Sequence, residues 1–233
     1  SSYDKASEVL ETAGFTTKHI TKNGHPSRMI IQVAEEMNAD MIALGARGHS
    51  AVYRVVLGST ADFVANHAKC SVLVVRPPME KVVTTRGVQA LSVLAAYDGS
   101  APARQAFKQL AEFDWPESAS IHLCTMLERP SLLPEDVIYD EDMLNEAEAS
   151  LAELASTLSC KGEVTCAARE TLHISSALRT LAERRECDLL VVGDTGKSAI
   201  GRFFLGSKSR YLLHHTHCSV WIARSKAWKG GAA

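Results

Sequence analysis

The chain predicts an α/β fold built on a parallel sheet. Three observations carry this: short β-prone apolar runs alternate with helical patterns, the composition suits a packed core, and one long segment occurs twice. Of the 233 residues, 46% are hydrophobic and 22% charged, proportions typical of globular domains. A net charge of −2 argues against a basic surface for nucleic acid. Apolar runs such as 90–97 and 189–193 are too short to cross a bilayer. The opening Ser1-Ser2-Tyr3-Asp4 has neither the basic start nor the apolar stretch of a signal peptide. The expectation is a soluble cytoplasmic protein with no membrane or nucleic-acid partner.

The repeat decides the organisation. Residues 40–76 align with 188–224 without a gap, at an offset of 148. Identical pairs include Asp40/Asp188, Gly45/Gly193, Gly48/Gly196, Arg54/Arg202, Gly58/Gly206, Ser59/Ser207, Ser71/Ser219 and Arg76/Arg224. The same offset pairs His25 with His173 and Glu35 with Glu183.

The second copy is the fuller one. Residues 91–97 are an apolar run ending at Asp98-Gly99-Ser100, a turn and helix-start signal. Residues 101–113 have helical periodicity, and 120–126 read as a strand. Residues 141–158, rich in Ala, Leu and Glu, form a helix by apolar spacing and propensity. A strand at 163–168, a helix at 175–187, a short buried strand at 189–192, a helix at 207–214 and a strand at 219–223 complete it. Strict alternation means a parallel sheet covered on both faces.

In the first copy, the offset places Ser1 opposite Ala149, inside the long helix. The counterparts of two strands and more than one helix then precede residue 1. A third strand would be cut off from a fourth by a gap with open edges, so the expectation is either a partial chain or a sheet completed by another chain. The domains predicted are 1–79, a linker at 80–89, a complete domain at 90–226 and a tail at 227–233.

Each copy carries Gly-x2-Gly-x9-Gly-Ser after a short strand: Gly45, Gly48, Gly58 and Ser59, then Gly193, Gly196, Gly206 and Ser207. Phosphate needs backbone N–H donors that approach closely, and glycine permits both the approach and a positive φ. The helix after Gly206 offers free N–H groups and a positive dipole end, at the carboxyl edge of the sheet where open α/β folds place ligands. The alternative is that these glycines only shape turns and caps. Arg47, Arg54, Lys197 and Arg202 could screen phosphate charge or simply be solvated.

These residues carry a resemblance to the universal stress protein family, over residues 1–225; the spaced glycine loop is the signature of its ATP-binding members. The resemblance implies a five-stranded parallel sheet ordered 3-2-1-4-5, with domains pairing through their last strands. It makes Asp98 the acidic nucleoside contact, although Asp-Gly-Ser is also a common turn and cap. Thr125 matches, within one residue, the position after the second strand whose backbone reads adenine. Val192, Gly193 and Gly196 match the fourth strand end and phosphate loop; Gly206 and Ser207 match the phosphate-binding helix start. In the first copy only Gly45, Gly48, Gly58 and Ser59 carry over. The implied cofactor is ATP, with Mg2+ as its companion ion.

Walker A is absent. Asp194, the one acidic residue in the loop that could help hold Mg2+, corresponds to Ala46. Binding with at most slow hydrolysis is therefore expected, in a regulatory or stress-response module that forms a homodimer or an intrachain pseudo-dimer and serves an unidentified protein partner. Two alternatives stay open: a slow ATPase or nucleotide-dependent enzyme, and a nucleotide-free interaction module with a vestigial site. The six cysteines show no zinc-type spacing and read as reduced core thiols. His214, His215 and His217 sit where a helix ends, beside its negative pole, and no metal is expected there.

Overall fold

Apolar residues three and four apart on the helices, and continuous β-branched runs between them, give the alternation its form. The computed structural model describes residues 2–47, 57–77, 91–129, 141–195 and 205–224. The linker 80–89, the tail 227–233, Gly48, Gly196, Arg54, Lys197 and Arg202 lie outside the described residues. The first copy contains α1 (Ser2–Thr12), α2 (Pro26–Glu36), β1 (Met41–Gly45), α3 (Ser59–His67) and β2 (Ser71–Val75). The second contains β3 (Ser92–Ala96), α4 (Ala101–Ala111), β4 (Ser120–Glu128), α5 (Glu141–Ala155), β5 (Glu163–Thr171), α6 (Ile174–Arg184), β6 (Leu189–Gly193), α7 (Ser207–His215) and β7 (Ser219–Ala223). From α2 to β2, every boundary in the first copy falls 148 residues before its equivalent. Helix ends repeat too: Asn38 and Glu186, equivalent positions just past α2 and α6, are left-handed at φ 50° and 48°.

The strands form one sheet in the order β1-β2-β7-β6-β3-β4-β5. Counted within the second copy, its strands run third, second, first, fourth, fifth, all parallel. The copies meet where β2 runs antiparallel to β7, with Leu73 facing Trp221, its own equivalent. Helices α2, α3, α6 and α7 cover one face around Leu94, Leu190, Val72 and Ile222. Helices α4 and α5 cover the other around Val93, Ile121, Leu123 and Val191. Each fully buried Leu or Ile contributes roughly 1.5–3 kcal/mol of transfer free energy.

One expectation needs correction. Residues 15–23, the counterparts of β5, form no strand, so no third strand stands across a gap in the first copy. A strand exists through its ladder, and β5 pairs with β4, whose counterpart the offset places before residue 1. The sheet ends at β1 instead. Val9 and Leu10 of α1 and Phe15 after it are exposed.

Candidate functional site

The carboxyl edge of β3, β4 and β6 gathers most of the predicted residues. Strand β3 stops at Ala96, opposite Cys124, and the chain then turns through Asp98 into α4. The turn is built locally. Asp98 Oδ1 accepts from the Ser100 N–H at 2.9 Å, Gly99 is left-handed at φ 73°, and Ser100 Oγ caps α4 by accepting from Ala103 N at 3.2 Å. Arg104 donates to the Gly99 carbonyl from within the helix. The turn uses Oδ1 of this half-buried carboxylate, and the described structure gives Oδ2 no hydrogen bond. Asp98 is thus a turn residue with one carboxylate oxygen outside the turn's own hydrogen bond.

Thr125 lies within the strand expected at 120–126, which runs on to Glu128. It pairs with Ala168 of β5. Because β3 stops at Ala96, opposite Cys124, Thr125 is the first β4 residue past the end of β3. Its hydroxyl donates to the Tyr97 carbonyl at 2.8 Å, and Tyr97 N–H donates to Cys124 O at 2.8 Å. These bonds fix the exit of β3 against β4.

At the end of β6, Val192 is buried and Gly193 accepts from Ser209 Oγ at 2.8 Å. The loop that follows closes on itself: Gly206 N–H donates to Asp194 O at 2.7 Å, and in the first copy Gly58 N–H donates to Ala46 O at 2.7 Å. Both helices then start on a glycine with no side-chain cap. Their first N–H groups are therefore left for another acceptor, with Ser59 and Ser207 exposed beside them. The glycines serve packing rather than a positive φ: Gly58 and Gly206 have φ −73° and −58°, and neither Gly45 nor Gly193 is left-handed. A Cβ on Gly193 would stand 2.9 Å from Pro102 of α4, and one on Gly206 would stand 3.2 Å from Asp194 O.

Sequence reasoning missed the set of polar residues behind this edge. Asp194 faces the nearly buried Arg224, Oδ2 to Nε 3.6 Å, so its carboxylate points inward rather than toward a loop-bound cation. Burial pulls the Arg224 guanidinium below its ordinary pKa, and Asp194 opposes the shift. Arg76, its equivalent, is lowered by burial as well. Their signal was identity in both copies: Arg76/Arg224 and Ser71/Ser219. Lys208 reaches across to Glu128 at 2.9 Å, a pair with no sequence signal.

The histidine cluster disperses. His214 Nε2 lies 2.9 Å from Asp62 of the first copy, His217 Nδ1 lies 3.2 Å from Glu183, and His215 Nδ1 shares a hydrogen bond with Tyr211 O. The six cysteines are all thiols, and burial pushes Cys124 and Cys218 up to about 12, which leaves them inert at neutral pH. Among the described residues no helix is long and apolar enough to cross a membrane.

Comparison with known proteins matches the sequence model of the universal stress protein family to residues 2–76 and 91–224. A universal stress protein of Synechocystis sp. is 42% identical over 69 residues, 30% of this chain, and the match spans 45% of that relative's length. One from Mycolicibacterium smegmatis is 26% identical over 219 residues, covering 93% of this chain and 71% of the relative. Among solved structures, a putative universal stress protein from Pseudomonas aeruginosa has a TM-score of 0.64 at 14% identity, covering 97% of this chain and 78% of that one. That likeness is one of fold.

Proposed function

The chain belongs to the universal stress protein family, and we propose that it is an ATP-binding regulatory module of the stress-response type, holding its nucleotide in the second copy. In this reading residues 90–226 are the nucleotide-holding domain, and residues 1–79 are a partner domain docked through β2 and β7. The observation that carries it is the loop base: in both copies the glycine opening the helix donates to the residue just past the strand end, at 2.7 Å. In this reading the bond holds the uncapped start of each helix beside the strand end, where its N–H groups suit phosphate.

The rest of the edge fits the remainder of a nucleotide. In this reading the second oxygen of Asp98 accepts from a ribose hydroxyl, and the base lies beside Thr125, beyond the end of β3. Val192, Gly193, Gly206 and Ser207 line the phosphate end, with Gly196 in the same loop. The first copy carries Gly45, Gly48, Gly58 and Ser59 of the same loop pattern. Mg2+ would arrive with the phosphates, since Asp194 is turned toward Arg224. Binding, with at most slow hydrolysis, suits a site with no Walker A lysine.

The test is nucleotide content after purification without added ATP, followed by calorimetric titration with Mg-ATP. Adenine nucleotide stoichiometric with the chain, or saturable binding, is the expected result. Asp98→Ala should weaken binding about tenfold or more, the loss of one charge-assisted hydrogen bond. If the purified protein holds no nucleotide and millimolar Mg-ATP gives no heat, the proposal fails.

A further inference from the structure

The two copies exchange arginines across the β2–β7 junction. Arg224, at the end of β7, donates from Nη2 to Ala65 O in the last turn of α3, 2.6 Å away. Arg76, at the end of β2, donates from Nη2 to Leu213 O of α7 at 2.7 Å. Ala65 and Leu213 are themselves equivalent, 148 residues apart. The backbones follow the same rule: Arg224 N–H donates to Ser71 Oγ at 2.9 Å, and Arg76 N–H to Ser219 Oγ at 3.1 Å. Each guanidinium faces the negative end of a helix in the other copy, a favourable place for a cation.

The symmetry breaks at the loop base, and Gln109 of α4 adds a further bond to Arg224 O at 2.9 Å. Arg224 also faces the Asp194 carboxylate at 3.6 Å, and Asp194 O is the acceptor that closes the second loop. The equivalent position in the first copy is Ala46, and among the described residues Arg76 Nε and Nη1 have no hydrogen-bond partner, while Arg224 lacks one at Nη1. One continuous path therefore joins the two loops. It runs from the base of the second loop through Asp194 and Arg224 to the C-terminal turn of α3, the helix that opens at the first copy's Gly58 and Ser59. The reverse path stops at Ala46.

We infer that Arg224 is a positioning residue that sets the base of the second-copy loop from the first copy, so that nucleotide binding there depends on how α3 is docked. The inference rests on the nucleotide reading for its ligand, while the linkage itself belongs to the protein alone. By reciprocity, nucleotide in the second loop tightens the junction as much as the junction tightens the nucleotide.

The experiment uses the full chain with Arg224→Gln, Arg224→Lys, Asp194→Asn, the Asp194→Asn/Arg224→Gln double variant and Arg76→Gln. Mg-ATP affinity is measured by calorimetry and stability by thermal melting. Arg224→Gln and Asp194→Asn should each weaken ATP about tenfold, and the double variant no more than either alone. Arg224→Lys, which keeps the charge but not the fork, should fall between Arg224→Gln and wild type. Arg76→Gln should lower Tm comparably while leaving affinity within about twofold. Equal loss of affinity in the two arginine variants, or additive losses in the double variant, would overturn the inference and reduce Arg224 to a structural tie. Hydrogen exchange without nucleotide supplies a second readout. Asp194→Asn should speed exchange in the last turn of α3, and should add nothing once Arg224 is replaced. Unchanged exchange in α3 would overturn the inference as well. A wild type that binds no ATP would refute the nucleotide reading alone, and the linkage would then be decided by exchange.

Discussion

Adding a single methyl group at Gly193 and at Gly45 should have unequal consequences, although the two positions are equivalent in the repeat. A Cβ at Gly193 would lie 2.9 Å from both the carbonyl carbon and the Cβ of Pro102, and 3.1 Å from Ala103 N. Carbon atoms pack at about 3.5–4 Å, so the first turn of α4 would have to retreat by roughly half an ångström or more. It cannot do so freely: Phe107 and Leu110 anchor the helix in the core, and Gln109 Nε2 donates to Arg224 O at 2.9 Å. Overpacking of this kind costs about 1–3 kcal/mol, or about 2–12 °C in Tm for a protein of this size. At Gly45 the nearest atom is Arg47 O at 3.3 Å and the next lies at 4.0 Å. A shift of a few tenths of an ångström should suffice there, at a cost below about 0.5 kcal/mol. Thermal and urea melts of Gly193→Ala and Gly45→Ala measure the contrast. Gly193→Ala should also weaken Mg-ATP binding, because the displaced turn carries Asp98. Equal stability losses in the two variants would refute the packing explanation of Gly193. A Gly193→Ala protein as stable as wild type would do the same, and would return that glycine to phosphate approach alone.

Ala46→Asp should give Arg76 the carboxylate that Arg224 already has. At the 3.6 Å seen for the Asp194 pair the gross attraction is about 4–5 kcal/mol at an effective dielectric of 20, offset by several kcal/mol of desolvation. A net gain of about 1 kcal/mol, read as a Tm rise of about 2–4 °C, is expected; a lower Tm would show that the Ala46 site cannot seat a carboxylate. His122 sets an acid limit on stability. Burial first, then the charges of Arg185 and Arg169, hold its pKa down to about 4. The unfolded chain takes up this proton near pH 6.5 and the folded one only near pH 4. Stability is therefore full above pH 6.5 and falls by up to about 3 kcal/mol as pH drops toward 4. His122→Gln should flatten that part of a urea-midpoint profile against pH, and an unchanged slope would assign the acid loss to other groups.

Much of this was legible in the residues. The offset of 148 between Gly45 and Gly193 carried every element boundary from α2 to β2, because helix and strand signals are local and were copied with the sequence. The glycine loops were marked by type and spacing, and the site roles of Asp98 and Val192 by the family resemblance those loops carry. Pairing and burial were not, since they join segments far apart in the chain. Residues 15–23 repeat the position of β5 and form no strand, since a strand exists only through its ladder. Thr125 is the first β4 residue past the end of β3, a register that appears only when the two strands are paired. Gly193 is a glycine because Pro102 presses on it, and Gly45 matches it with no helix against it. Arg76 and Arg224 look alike along the chain. Only the antiparallel meeting of β2 and β7 turns each toward the other copy's helix, and only there does Asp194 in place of Ala46 distinguish them.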